Sequence, residues 1–187
     1  MGPGDGADAV EEGVLGQARE VPDDPIKLRL TAALFQKDQK RKSYLDRQLI
    51  QAADPFVVGI NAALIPSSVL EWQVPRVVRS VFGVGPQVVS VNVQTGEFSS
   101  GGFAPAQFVA KKSGEQIPMT AFLSTFSAGI SAIVYSCDDA LNSYGEPGDD
   151  FVAIHNPMAV NPLAVGSLGC PREYWFDGTV IRVAERA

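Results

Sequence analysis

The sequence predicts a single α/β domain built on a mixed central sheet of five or six strands, with a long basic helix near the N-terminus. Three observations carry this expectation. Apolar residues fill 45% of the 187 positions, enough for one well-buried core. Three apolar runs, at residues 56–61, 129–136 and 150–156, have strand length and lie between turn signals. Ile26, Leu30, Ala33, Leu34, Lys37, Arg41, Tyr44, Leu45 and Gln48 recur at steps of three and four, which is a helical period.

Residues 1–24 carry Gly2, Gly4, Gly6, Gly13, Gly16, Pro3 and Pro22 with few large apolar side chains, the composition of a flexible lead. The domain proper is expected over 25–187. Asp24-Pro25 offers an acidic N-cap and a proline at the first helical position, and the helix is expected to reach about residue 50 with Lys37 and Arg41 on its apolar side. Asp54-Pro55 is a turn signal. The unbroken apolar pattern of 56–61 then suits a strand covered on both faces inside a partly parallel sheet, with Gly59 admitting a close neighbour.

Residues 75–82 read as a short helix stopped by Gly83. Residues 88–93 alternate before Thr95-Gly96, which predicts a hairpin whose returning arm, 98–108, is broken by Gly101-Gly102 and Pro105. A helical turn or two is expected at 119–124. After the third buried strand, Pro157, Pro162, Gly166, Gly169 and Pro171 signal a long loop, and 180–183 a short edge strand.

The formal charge of −6 is uneven: residues 1–24 carry a net −6, residues 25–50 a net +5 and the remainder −5. A basic helix between acidic segments is either a solvated face or a contact surface for an anion.

Several function classes lack support. Cys137 and Cys170 are far apart and form neither a zinc-ligand spacing nor a disulfide framework, so reduced thiols and a cytoplasmic location are expected. No signal segment opens the chain and no apolar run approaches the roughly 20 residues that cross a bilayer, so no membrane partner is expected. Gly83-Val84-Gly85 lacks the third glycine of a dinucleotide fingerprint and Lys111-Lys112-Ser113-Gly114 lacks the P-loop glycines, so no nucleotide cofactor is expected. A triad would have to use His155, the one histidine, which otherwise bonds a loop carbonyl. Asp138-Asp139 and Asp149-Asp150 flank strand ends, where carboxylates hold hard cations or else close turns and cap helices; a cap by Asp138 or Asp139 would reach Asn142. No metal site is assigned.

Longer matches point to a family. Residues 3–8, then 28–34 with Lys37, Lys40, Tyr44 and Leu45, then 54–61, 127–133, His155-Asn156-Pro157 with Asn161-Pro162-Leu163, and Arg172-Glu173-Tyr174-Trp175 resemble a family of uncharacterised bacterial proteins. That family is similar to the PD-(D/E)XK restriction-endonuclease-like fold, and this chain corresponds to its C-terminal part. Lys40-Arg41-Lys42-Ser43-Tyr44 has the spacing of the Q-x-x-x-Y element of some relatives, with lysine for glutamine.

The resemblance implies a nuclease-like protein, with Lys37, Lys40, Tyr44 and His155 as candidate catalytic residues. Lys37, Lys40, Arg41 and Lys42 are the candidate contacts to DNA. The chain departs from the family where the chemistry is done: an Asp and a Glu-x-Lys on adjoining strands hold Mg²⁺ and activate a water, and only Pro22-Asp23, with no Glu-x-Lys after it, has the letters. Mg²⁺ is therefore expected only if an upstream segment supplies the carboxylates, with Met1 then an internal start and this chain inactive alone. The alternative is a non-catalytic protein-interaction or nucleic-acid-binding module.

Overall fold

The computed structural model describes residues 10–11, 21–71, 73–139, 146 and 148–186. Over the described residues the chain forms a five-stranded mixed sheet, two α-helices and two separate β-hairpins. Sheet order is β1 (Val57–Asn61), β6 (Ala132–Ser136), β7 (Val152–His155), β8 (Arg172–Phe176) and β9 (Ile181–Glu185). β1 runs parallel to β6 and β7 to β8, whereas the β6–β7 and β8–β9 pairs are antiparallel.

Register assigns the two faces. Val58 and Ile60 stand beside Ile133 and Tyr135, these beside Ile154 and Val152, and Ile154 beside Tyr174, so one face is an apolar layer. Helices α1 (Asp23–Asp46) and α2 (Arg76–Phe82) cover that face through Ile26, Leu30, Leu34, Val77, Val78 and Val81, and Val10 and Phe122 join the same core. The opposite face carries Ala132, Ala153, His155 and Glu173, all buried. The long 156–171 loop reaches that face, where the Gly166 N–H donates to Glu173.

Several expectations need correction. α1 is long, at 24 residues, but is not uniformly basic: Asp23, Asp24, Asp38 and Asp46 accompany its six bases, two of them in the first turn where the helix dipole favours them. It ends at Asp46 and not near 50, because Gln48 turns the chain in the left-handed region at φ 56. Lys37 is exposed, and the buried positions of the helix's middle are Leu34 and Asp38. β1 is a sheet edge among the described residues, with buried and exposed positions alternating, so residues 56–61 do not form a doubly covered strand, and a Cβ added at Gly59 would meet nothing within 4 Å.

The expected hairpin is present as β2 (Val84–Val91) and β3 (Phe98–Pro105), beside a second one, β4 (Phe108–Ala110) and β5 (Gln116–Pro118). Two 3-10 turns, at Ala121–Leu123 and Thr125–Ser127, take the place of the expected helical turn. The edge strand expected at 180–183 is β9, and Gly83 caps α2 at φ 66.

Candidate functional site

β1 and β6 end side by side, and β7 and β8 begin at the same rim of the sheet. Beyond β1 the chain folds back on itself: the Ile65 N–H donates to the Ala62 carbonyl, the Ser68 N–H to that of Ile65, and Ser68 Oγ to that of Ala62 at 2.7 Å. This loop roofs a cleft of about 610 Å³ whose lining includes Ser67, Glu71, Tyr135, Cys137, Asp138 and Arg172. Ser67 sits in the left-handed region at φ 65, a backbone state that serine adopts only when its surroundings impose it. Crevices at the carboxyl ends of parallel strands are where α/β sheets commonly take ligands.

The inner wall of the cleft is a chain of hydrogen bonds. Tyr135 Oη donates to Glu71 Oε1 at 2.9 Å, and Cys137 Sγ lies 2.9 Å from Tyr135 Oη and 3.4 Å from the Ser68 carbonyl. Burial pushes the Cys137 thiol up to about 11, the nearby Glu71 adding to it while the bond to Tyr135 opposes. Burial likewise raises Tyr135, with Glu71 adding to the shift, and raises Glu71 against the opposing pull of Arg76. A protonated thiol is a poor nucleophile, so this wall is suited to binding and not to attack. At the mouth, Asp150 Oδ2 accepts from the N–H groups of Cys137 (3.0 Å) and Asp138 (3.3 Å), and so secures the end of β6.

Behind Glu71 lies a cluster of charges that are mostly buried. Arg76 has a fully buried side chain and donates from Nε to Asp23 Oδ1 at 2.8 Å, and from Nη1 to the Leu70 carbonyl at 2.9 Å and Glu71 Oε2 at 3.3 Å. Arg79 Nη2 reaches Asp23 Oδ2 at 2.8 Å, and Lys27 pairs with the same carboxylate. Burial opposes ionisation of Asp23, but Lys27, Arg79 and Arg76 together outweigh it and hold its pKa below the ordinary value. The only Pro-Asp pair noted in the sequence is thus occupied as a structural anchor between α1 and α2.

The residues singled out from the sequence fall in different places. Lys37 and Lys40 are exposed on α1, and Lys40 Nζ lies 5.6 Å from the centre of the Tyr44 ring. Arg41 packs its guanidinium against Gly129, where even a Cβ would collide with it. Lys42 turns away to pair with the buried Asp38 at 2.8 Å. None of these residues lines the cleft.

His155 lies inside the sheet, its Nε2 2.7 Å from Glu173 Oε2, which also accepts from the Gly166 N–H at 2.6 Å. Burial would raise Glu173, but the Gly166 N–H and His155 hold it below the usual carboxylate range. His155 therefore pairs with a carboxylate and not with the loop carbonyl expected from sequence, and no hydroxyl or thiol bonds its ring among the described residues.

Of the acidic pairs, Asp149 closes the glycine-rich turn by accepting from the Glu146 N–H at 2.9 Å, as the turn reading expects. The helix cap through Asn142 falls outside the described residues. Among the described residues no three metal-ligating side chains gather, and no helix is long and apolar enough to cross a membrane.

Sequence reasoning passed over Glu71, Tyr135, Arg76 and Arg79. Two arginines three apart in an otherwise apolar helix were the available signal, since both must be paired if that helix is buried. No family model, curated protein or solved structure matches the chain.

Proposed function

We propose that this is a nuclease-like protein that binds nucleic acid along the exposed side of the second half of α1, with this chain not completing a catalytic centre by itself. The observation that carries the reading is a division among the cations. Lys27, Arg76 and Arg79 are consumed by Asp23 and its neighbours, whereas Lys37 and Lys40 are exposed and have no ion-pair partner among the described residues. Lys40 and Tyr44 on adjacent turns add an aromatic surface to the charge. The restriction-endonuclease-like resemblance belongs to this reading and is supported by the succession of helix α1 and strand β1.

Contacts to phosphate release counterions, so affinity for a long duplex falls with salt. In a fluorescence-anisotropy titration the affinity of the native chain should fall as salt rises, and Lys37→Glu with Lys40→Glu is expected to abolish binding even at low salt. Absence of binding by the native chain at low salt would defeat the reading.

The cleft supports a second reading, a non-catalytic module that takes a small organic cation. Asp138, Asp139 and Asp150 line it and outnumber the cation there, Arg172, and its inner wall offers hydroxyl and carboxylate groups. A polyamine should then raise the melting temperature of the native chain and leave that of Asp138→Asn unchanged.

A further inference from the structure

The β2–β3 hairpin is a two-stranded sheet of its own, and among the described residues neither strand pairs with anything but the other. Its register pairs Val91 with Phe98, Val89 with Ser100 and Gln87 with Phe103. Residues directly opposite share a face, as do alternate residues of one strand, so Val89, Val91 and Phe98, with Phe103 beyond a register irregularity, form one face that also carries the polar Gln87. That face is bare: relative exposures are 56%, 49%, 76% and 38%, with Val93 at the tip at 94%. A two-stranded ribbon in this condition is marginal in water, and bare apolar patches of this kind mark contact surfaces.

We propose that the ribbon face is a self-association surface, occupied by the same face of a second copy of this chain about a twofold axis. Charge selects this occupant. Across residues 84–105 Glu97 is the one charged side chain, so the ribbon has no cations to meet a phosphate backbone or an anionic membrane. The chain as a whole carries −6, so two copies approach more readily through a surface that is nearly uncharged, as the ribbon is, than through their acidic ones.

Area agrees. With a Phe side chain burying roughly 150–250 Å², the exposed parts of these five residues amount to on the order of 500 Å² per chain. Doubled across the axis this is about 1,000 Å², the lower bound of a specific interface. A twofold contact is closed and self-complementary, so it yields a dimer and not a fibre. The two ribbons would stack about 10 Å apart, as packed sheets do.

Sedimentation equilibrium of the full chain tests this. The expected mass is that of two 19.9 kDa chains, and Val91→Asp with Phe98→Asp should give a monomer whose circular dichroism and melting profile below the dimer threshold match the native monomer. Should that pair of substitutions compromise folding, the milder Phe98→Ser should weaken dimerisation at least tenfold by itself. In hydrogen exchange, amides of residues 87–91 and 98–103 should slow as concentration rises. A native chain that stays monomeric to about 100 µM, a dimer that persists in both variants, or a dimer without slowed exchange in the ribbon would overturn the proposal.

Discussion

Arg76 Nε meets Asp23 Oδ1 at 2.8 Å across 53 positions of sequence, and through this contact the first turn of α1 is fastened to α2. The same guanidinium holds Glu71, and Glu71 holds Tyr135 at the cleft wall, so one buried cation connects the outer helix to the sheet. Asp23 has Lys27 on its own helix, whereas Arg76 finds its carboxylate partners outside α2, in Asp23 and Glu71, and depends on them for the free energy of leaving water.

Replacing Arg76 by alanine strips Asp23 and Glu71 of a partner and leaves a void in the packing. A loss of about 3 kcal/mol is expected, since breaking one side of a buried pair costs more than the pair contributes. Urea denaturation measures it. Arg76→Lys should recover little, because an ammonium cannot face Asp23, Leu70 and Glu71 together as the guanidinium fork does.

Acid should unfold the protein through the carboxylates whose pKa is lowered in the fold. Asp23 has an ordinary value of 3.8 and Glu173 one of 4.5, and both lie below these values here. Each contribution is therefore complete above the ordinary value and is lost as pH falls through the lower, folded one. Melting temperature plotted against pH should fall steeply below pH about 4. The acid limb of Asp23→Asn should be shallower, and a limb of unchanged slope would contradict the role given to Asp23.

Cys137 opens onto a cleft yet should react slowly. With its pKa near 11, its thiolate fraction at neutral pH is about two orders of magnitude below that of a free cysteine. Iodoacetamide labelling followed on the Cys137 peptide should be slow at pH 7.5 and accelerate towards pH 11. Labelling at the rate of a model thiol would show that the wall of Tyr135 and Ser68 is open.

Gly83 ends α2 at φ 66, and an added Cβ would stand 3.0 Å from Thr120 Cγ2. Gly83→Ala should therefore cost about 1–2 kcal/mol, from the left-handed backbone and the crowding together. In a chain of this length each kcal/mol lowers the melting temperature by about 2–4 °C, which differential scanning calorimetry resolves.

Locally encoded parts of the fold were legible in the sequence. Gly83 announced the end of α2, Thr95-Gly96 the β2–β3 turn, and the apolar runs of β6 and β7 their burial. β8 was not legible, because Arg172-Glu173-Tyr174-Trp175 reads as polar, and Glu173 is buried only by virtue of His155 and Gly166. β1 was misplaced at the centre of the sheet, since an apolar run does not say which of its sides will find a neighbour.

The candidate site was legible only in part. Asp138, Asp139 and Asp150, noted in the sequence as acids at strand ends, line the cleft, whereas helical spacing put the exposed Lys37 on the apolar side of α1, and Glu71 and Tyr135 are 64 positions apart. No short window of sequence contains such a pair.

The parallel pairing of β1 with β6 also bears on how the chain is made. Phe56 and Ser131, which bond to each other at the start of these strands, are separated by 75 residues. At synthesis rates of about 5–20 residues per second, β1 waits roughly 4–15 s on the ribosome for β6, its only sheet partner among the described residues. The β2–β3 hairpin, by contrast, closes on the microsecond scale once it emerges. During that interval Val58 and Ile60 have no strand to pair with, so the nascent chain is most open to chaperone capture between the appearance of β1 and that of β6.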